Sequence, residues 1–126
     1  MAGFTNKFES TRQDWPTPRY LYDPLNEEFR FEWDLAASAE NALAPRFYAK
    51  EQDGLKQKWD GVCWLNPPFG QKTAKMVDWI KKAWTDTQTS ETLTVVMLIP
   101  ARTNTRWFHQ YRMKAAEVRF ICGRPK

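Results

Sequence analysis

Val62-Cys63-Trp64-Leu65-Asn66-Pro67-Pro68-Phe69 decides the reading of this chain. The first four residues form a short apolar run, as a strand would. The next four read as a stiff loop at its end. Each proline lacks an N–H and has a fixed φ, so the loop is rigid and its carbonyls are not committed to a helix. Asn66 Oδ1 and the Pro67 carbonyl can accept hydrogen bonds from an NH2 group, and the Phe69 ring can stack on a flat substrate. The competing reading is a plain Pro-Pro linker. Position favours a site, because open α/β sheets bind ligands at the carboxyl ends of their strands.

Working outward, Leu93-Thr94-Val95-Val96-Met97-Leu98-Ile99 is nearly all apolar, as a strand covered on both faces should be. Between these two strands, Met76, Val77, Ile80 and Trp84 recur at helical spacing and predict a helix over 73–85. On the amino-terminal side, Trp15-Pro16-Thr17-Pro18 is extended. A short helix over 19–27 follows, with Tyr20, Leu21 and Leu25 on one face. Alternation from Phe29 to Leu35 predicts a first strand. A helical turn over 39–43, a short strand over 47–49 and a turn over 51–54 come next. After Pro100, Thr103 or Asn104 can cap a helix reaching Lys114, and 117–122 reads as a final strand. This alternation predicts an α/β domain with a largely parallel sheet and right-handed crossovers. Residues 1–13 read as a flexible terminus.

Composition narrows the function classes. The chain has 126 residues, enough for one core, and its 42% hydrophobic content and seven tryptophans indicate a folded protein. Trp33, Trp64, Trp79 and Trp84 are expected in the core. The net charge of +4 is compatible with an anionic partner. Cys63 and Cys122 lie in apolar runs without CxxC spacing, so both are expected to be buried free thiols. A single histidine, His109, argues against a histidine-based metal site. No segment reads as a secretion signal or a membrane span, so the cytoplasm is the expected compartment.

Several separated segments together resemble one family. They are Asp14-Trp15-Pro16-Thr17-Pro18, the run from Phe31 to Ala37, Asn41-Ala42, Asp53-Gly54-Leu55, the run from Trp64 to Gly70, the run from Leu98 to His109, and Arg119 to Arg124. In this order they resemble the small phage-type DNA N6-adenine methyltransferases of the Dam type. The resemblance implies a Rossmann-like, three-layer fold with a mostly parallel sheet. It also implies S-adenosylmethionine as methyl donor and adenine in double-stranded DNA as acceptor, with no metal and no membrane. Asn66, Pro67, Pro68 and Phe69 become the expected catalytic loop. The adenine amino nitrogen is a poor nucleophile. Two acceptors on its N–H groups favour a more tetrahedral nitrogen and stabilise the positive charge that develops on it. The base must be flipped out of the duplex, and Phe69 would stack on it.

The resemblance also supplies donor-site candidates. Asp34 would meet the donor's methionine amino group, Ala36 is small enough for close backbone approach, Thr17-Pro18 would contact the donor's carboxylate, and Asp53 would accept from the donor's adenine. The chain lacks the GxG usual after the first strand. The competing reading of Thr17, Asp34 and Asp53 is local turn formation. Arg102, Arg106 and His109 follow the second apolar strand and are candidates for DNA phosphates; surface ion pairing is their alternative. Lys72, Lys75, Lys81 and Lys82 read as a solvated helix face. Transfer to RNA or to a protein glutamine, or a DNA-holding remnant without activity, are the other functions these residues allow. Family members continue past Gly123-Arg124 into a further antiparallel strand between 93–99 and 117–122. The single domain over 14–126 is therefore expected to be incomplete at its C-terminus, marginally folded and weakly active.

Overall fold

The computed structural model describes residues 16–68, 76–100, 106–112 and 114–122. Among these residues the helices are α1 (Arg19–Phe29), α2 (Met76–Thr89) and α3 (Arg106–Arg112), and the strands are β1 (Trp33–Asp34), β2 (Arg46–Phe47), β3 (Val62–Leu65) and β4 (Thr94–Met97). A 3-10 turn spans Gly54–Lys56. The four strands form one parallel sheet in the order β2-β1-β3-β4. The architecture is therefore α/β. The chain steps from β1 to β2 on one side and then crosses to β3 on the other. A crevice consequently opens between the carboxyl ends of β1 and β3, the position where such sheets bind ligands.

Side-chain alternation along β3 builds two cores. Cys63 and Leu65 pack with Leu35, Trp59, Leu93, Trp79 and Ala83 beneath α2. Trp64 packs on the opposite face with Tyr22, Phe31 and Ala44 beneath α1. On that second face Tyr22 meets Trp64 edge-on at 5.4 Å, and Phe31 meets Trp64 at 5.5 Å. Helices on both faces explain why β3 reads as an unbroken apolar run. The residues of β4 from Val95 to Met97 are only half-buried, because β4 is an edge strand among the described residues.

The early part of the chain departs from the sequence reading. Alternation from Phe29 to Leu35 marks a helix exit, not one long strand. Helix α1 continues to Phe29, and Arg30 closes it in the left-handed region at φ 61°. Asn26 then accepts twice, its carbonyl from Arg30 N at 2.8 Å and its Oδ1 from Phe31 N at 2.9 Å. Phe29 and Phe31 alternate because both stack into the α1-side core, with ring centroids 5.8 Å apart. The buried face of α1 is set by Tyr22, Leu25 and Phe29, while Tyr20 is 62% exposed. Residues 39–43 form a hydrogen-bonded turn closed by Ala42 N to the Ser38 carbonyl, without a helix.

The later part holds two further corrections. Helix α2 runs to Thr89, past the expected end at 85. Residues 117–122 do not form a strand; Val118, Phe120 and Ile121 are exposed. Arg119 ties this segment to the end of α1 instead, with a bidentate pair to Glu28 at 2.6 and 2.8 Å and its guanidinium over the Phe29 ring. Cys122 is exposed, whereas Cys63 is buried and its thiol is pushed up to about 12 by that burial. Lys82 is not simply solvated: it pairs with Asp86 at 2.9 Å and lies over the Trp59 ring. The expected flexible terminus, the start of the 73–85 helix and the Thr103 or Asn104 cap lie outside the described residues.

Gly54 fixes the 3-10 turn against the sheet. A Cβ there would overlap the Leu35 carbonyl oxygen and stand 3.2 Å from the Trp79 ring. Its own carbonyl accepts from Trp59 Nε1 at 2.8 Å in the core. Backbone has to move to admit a methyl group, so Gly54→Ala is expected to lose about 1–3 kcal/mol of stability. A urea denaturation midpoint equal to that of the parent chain would contradict this packing.

Candidate active site

Even-numbered residues of β1 and β3 face α1, and the site grows from that parity. Asp34 ends β1 beside its register partner Trp64. Asn66 lies one same-face step beyond Trp64, just past the end of β3. Thr17 precedes α1, whose first turn is closed by the Pro18 carbonyl accepting from Leu21 N and Tyr22 N, both at 3.1 Å. This brings Thr17 under the carboxyl edge of the sheet. There Asn66 Nδ2 donates to Thr17 Oγ1 at 3.0 Å. Thr17 is buried, so the bond fixes the amide, with its Oδ1 turned away from Thr17. Pro67 and Pro68 are buried behind it, which stiffens the loop.

Asp34 is the second element. It is 3% exposed, and burial pushes its carboxyl up to about 6, while the N–H groups of Leu43 and Ala36 pull it back. Leu43 N reaches Oδ2 at 3.1 Å because the loop after β1 folds back on itself. Ser38 N donating to Asn41 Oδ1 at 2.8 Å holds that fold. The other oxygen, Oδ1, is buried with no hydrogen-bond partner among the described residues. A buried acceptor in this state fits a cationic or N–H-bearing ligand. Such a group would meet Asp34 Oδ1 and lie near the Thr17–Asn66 pair.

The remaining candidates fall in three groups. Asp53 adopts the left-handed region at φ 54° and caps the 3-10 turn, accepting from Leu55 N at 3.2 Å. That is the turn-forming reading of this residue. Even so, Gly54 brings it beside the end of β1. Arg106 and His109 are both exposed on α3, which follows β4. Because β3 and β4 are parallel, α3 begins from the same sheet edge as Asn66. Phe69 and Arg102 lie outside the described residues.

Sequence reasoning missed Tyr22, Leu43 and Trp59. The 22, 25, 29 spacing could have marked Tyr22 as buried. Nothing local marks the Leu43 N–H as a partner of Asp34. A surface cleft lined by Glu32, Trp33, Arg46, Asp60, Gly61 and Thr92 lies at the opposite, amino-terminal sheet edge. Its polar groups serve the fold: Glu32 Oε1 accepts from Val62 N at 2.9 Å and Asp60 Oδ1 accepts from Thr92 at 2.6 Å. Among the described residues no cluster of three or more His, Cys, Asp or Glu side chains could hold a metal, and no helix is long and apolar enough to cross a membrane.

The described residues thus form a parallel α/β sheet with buried polar side chains at the carboxyl ends of its first and third strands, the place where open sheets of this kind bind ligands. Comparison with known proteins makes this specific: residues 5–125 match the family described as DNA N-6-adenine-methyltransferase (Dam), and the chain belongs to that family. It is 34% identical over 120 residues to the DNA N-6-adenine-methyltransferase of Escherichia phage T1, covering 93% of this chain and 48% of that protein. It is 28% identical over 122 residues to the enzyme of the same name from Haemophilus phage HP1 (strain HP1c1), covering 94% of this chain and 68% of that protein. The chain thus spans about half the length of the first relative and about two thirds of the second. No solved structure matches it significantly.

Proposed function

We propose that this chain forms the Rossmann-like, three-layer catalytic domain of an S-adenosylmethionine-dependent methyltransferase acting on the N6 amino group of a flipped-out adenine in double-stranded DNA. The observation that carries the reading is the Asn66–Thr17 bond at the edge where Asp34 ends β1. It orients the one amide that the chemistry needs. The donor, when bound, supplies a sulfonium methyl. Asn66 Oδ1 and the Pro67 carbonyl accept the two N–H bonds of the adenine amine and hold its nitrogen toward that methyl. Both acceptors gain strength as positive charge develops on nitrogen, so they favour the transition state over the ground state. Transfer leaves N6 cationic, and its surplus proton passes by way of these acceptors to solvent as S-adenosylhomocysteine leaves, so no strong general base is required. Phe69 stacks on the extruded base and offsets part of the lost stacking.

On the donor side, Asp34 Oδ1 fits the ammonium, Thr17 and Pro18 stand toward the carboxylate, Ala36 permits close approach, and Asp53 accepts from the donor's adenine. Arg106 and His109, on the helix that follows β4, meet DNA phosphates, and Arg102 is a third candidate for that role. The named phage relatives support action in a bacterial host's cytoplasm.

Calorimetric titration with S-adenosylmethionine, followed by labelled-methyl transfer to duplex DNA, RNA and a glutamine-bearing peptide, tests this reading. Transfer confined to adenine N6 is expected. Label on RNA or on glutamine would replace the substrate class, and donor binding without any transfer would leave a remnant. The two arginine contacts to phosphate also predict a slope of log Kd against log salt of about 2 for duplex DNA. Binding that ignores salt between low and physiological concentration removes Arg102 and Arg106 from the interface.

A further inference from the structure

Two buried side-chain oxygens on the α1 face have no hydrogen-bond partner among the described residues: Tyr22 Oη and Asp34 Oδ1. Tyr22 is 1% exposed and Asp34 3%. They belong to different elements, one on α1 and the other at the end of β1. Trp64 links them, being the register partner of Asp34 and the edge-on ring partner of Tyr22. The two groups sense each other. Burial and then the Asp34 charge push the Tyr22 phenol up to about 12, with Arg19 opposing and Asp23 adding to the shift. No direct hydrogen bond joins them. Each therefore carries the cost of a buried polar atom without a partner.

Such a pair is satisfied by one small group that donates at least two hydrogens. A carboxylate oxygen and a phenolic oxygen both accept, and a primary ammonium offers three donors. We propose that Tyr22 is a donor-site residue whose hydroxyl shares with Asp34 Oδ1 the binding of the primary ammonium of the donor's methionine portion. This rests on the reading that S-adenosylmethionine is the donor. It assigns a role to the first turn of α1 beyond Thr17 and Pro18. Tyr22 acts by position, and its ring stays in the core whatever its hydroxyl does.

Tyr22→Phe isolates the hydroxyl, because the ring contacts with Phe31 and Trp64 survive. The parent chain and the variant are titrated calorimetrically with S-adenosylhomocysteine and with its desamino analogue, which lacks only the amine. Both proteins are also melted without ligand. The variant is expected to bind S-adenosylhomocysteine roughly tenfold more weakly, the scale of one hydrogen bond to a charged group. It should bind the desamino analogue as the parent does. Its melting temperature should equal or exceed the parent's, since an unpartnered buried hydroxyl is lost. Equal S-adenosylhomocysteine affinity in the two proteins overturns the proposal. So does a lower melting temperature with both ligands weakened alike, which marks the hydroxyl as structural. A parent chain that binds neither ligand removes the donor reading itself, and the role of Tyr22 with it.

Discussion

Asn66→Ala is expected to lower methyl transfer by about 10²–10³-fold while donor affinity stays within a few-fold. The asymmetry follows from where the amide sits. Its Nδ2 is committed to Thr17 Oγ1, so it does not supply the donor's contacts. Its Oδ1 serves the acceptor amine, and that interaction grows only as nitrogen becomes positively charged. Removing it should therefore depress kcat and kcat/KM together, the pattern of a contact made in the transition state. Thr17→Val separates orientation from chemistry. It deletes the hydroxyl that holds the amide, and with it a proposed donor contact, but leaves the amide in place, so at saturating donor its loss of transfer should be smaller than that of Asn66→Ala. The measurement is single-turnover transfer to an adenine-containing duplex, with donor affinity measured in parallel. Parent-like turnover by Asn66→Ala would end the proposed mechanism.

That pairing also marks the limit of what the sequence discloses. Strand β3 and helix α2 were legible because a strand covered on both faces is an unbroken apolar run and a packed helix repeats at helical spacing; β4 was legible from its apolar run although it is a half-buried edge strand among the described residues. The loop after β3 was legible because two prolines in succession restrict the backbone wherever they occur. The Thr17–Asn66 bond was not legible, since it joins residues 49 apart. Only the return of α1 across the sheet creates it. The alternation of Phe29, Phe31 and Trp33 misled for a related reason. A helix ending in a left-handed residue places Phe29 and Phe31 on one core while Trp33 packs on the opposite face, which one continuous strand could not do. Nothing local marks Trp59 either: its indole N–H finds the Gly54 carbonyl and its ring stacks with Trp79 at 6.2 Å. For 117–122, strand-like alternation was present, yet Arg119 pairs with Glu28 and takes the segment to α1. Pattern describes what a segment can become, and long-range partners decide which option is used.

Asp34→Asn is expected to raise stability and lower donor affinity at the same time. In the folded chain burial pushes the Asp34 carboxyl up to about 6, whereas in the unfolded chain it titrates near 3.9. Below about pH 4 both states are protonated and burial imposes no ionic cost. Between the two values the folded state binds more protons than the unfolded state, so stability falls as pH rises. Above about 6 the loss is complete and amounts to roughly 3 kcal/mol. Asparagine is neutral throughout and keeps an oxygen for the Leu43 N–H. The variant should match the parent near pH 4 and exceed it by about 2–3 kcal/mol at pH 7.5. The same charge is the one that would meet the donor's ammonium, and a charge-assisted bond contributes about 1.5–3 kcal/mol. Donor affinity at pH 7.5 should then fall by roughly 10- to 100-fold. Urea denaturation at both pH values and calorimetric titration with S-adenosylmethionine read the two effects separately. A variant less stable than the parent at pH 7.5 would mean that the carboxylate is already well partnered. A variant more stable but with unchanged donor affinity would leave Asp34 a strained residue of the fold, outside the site.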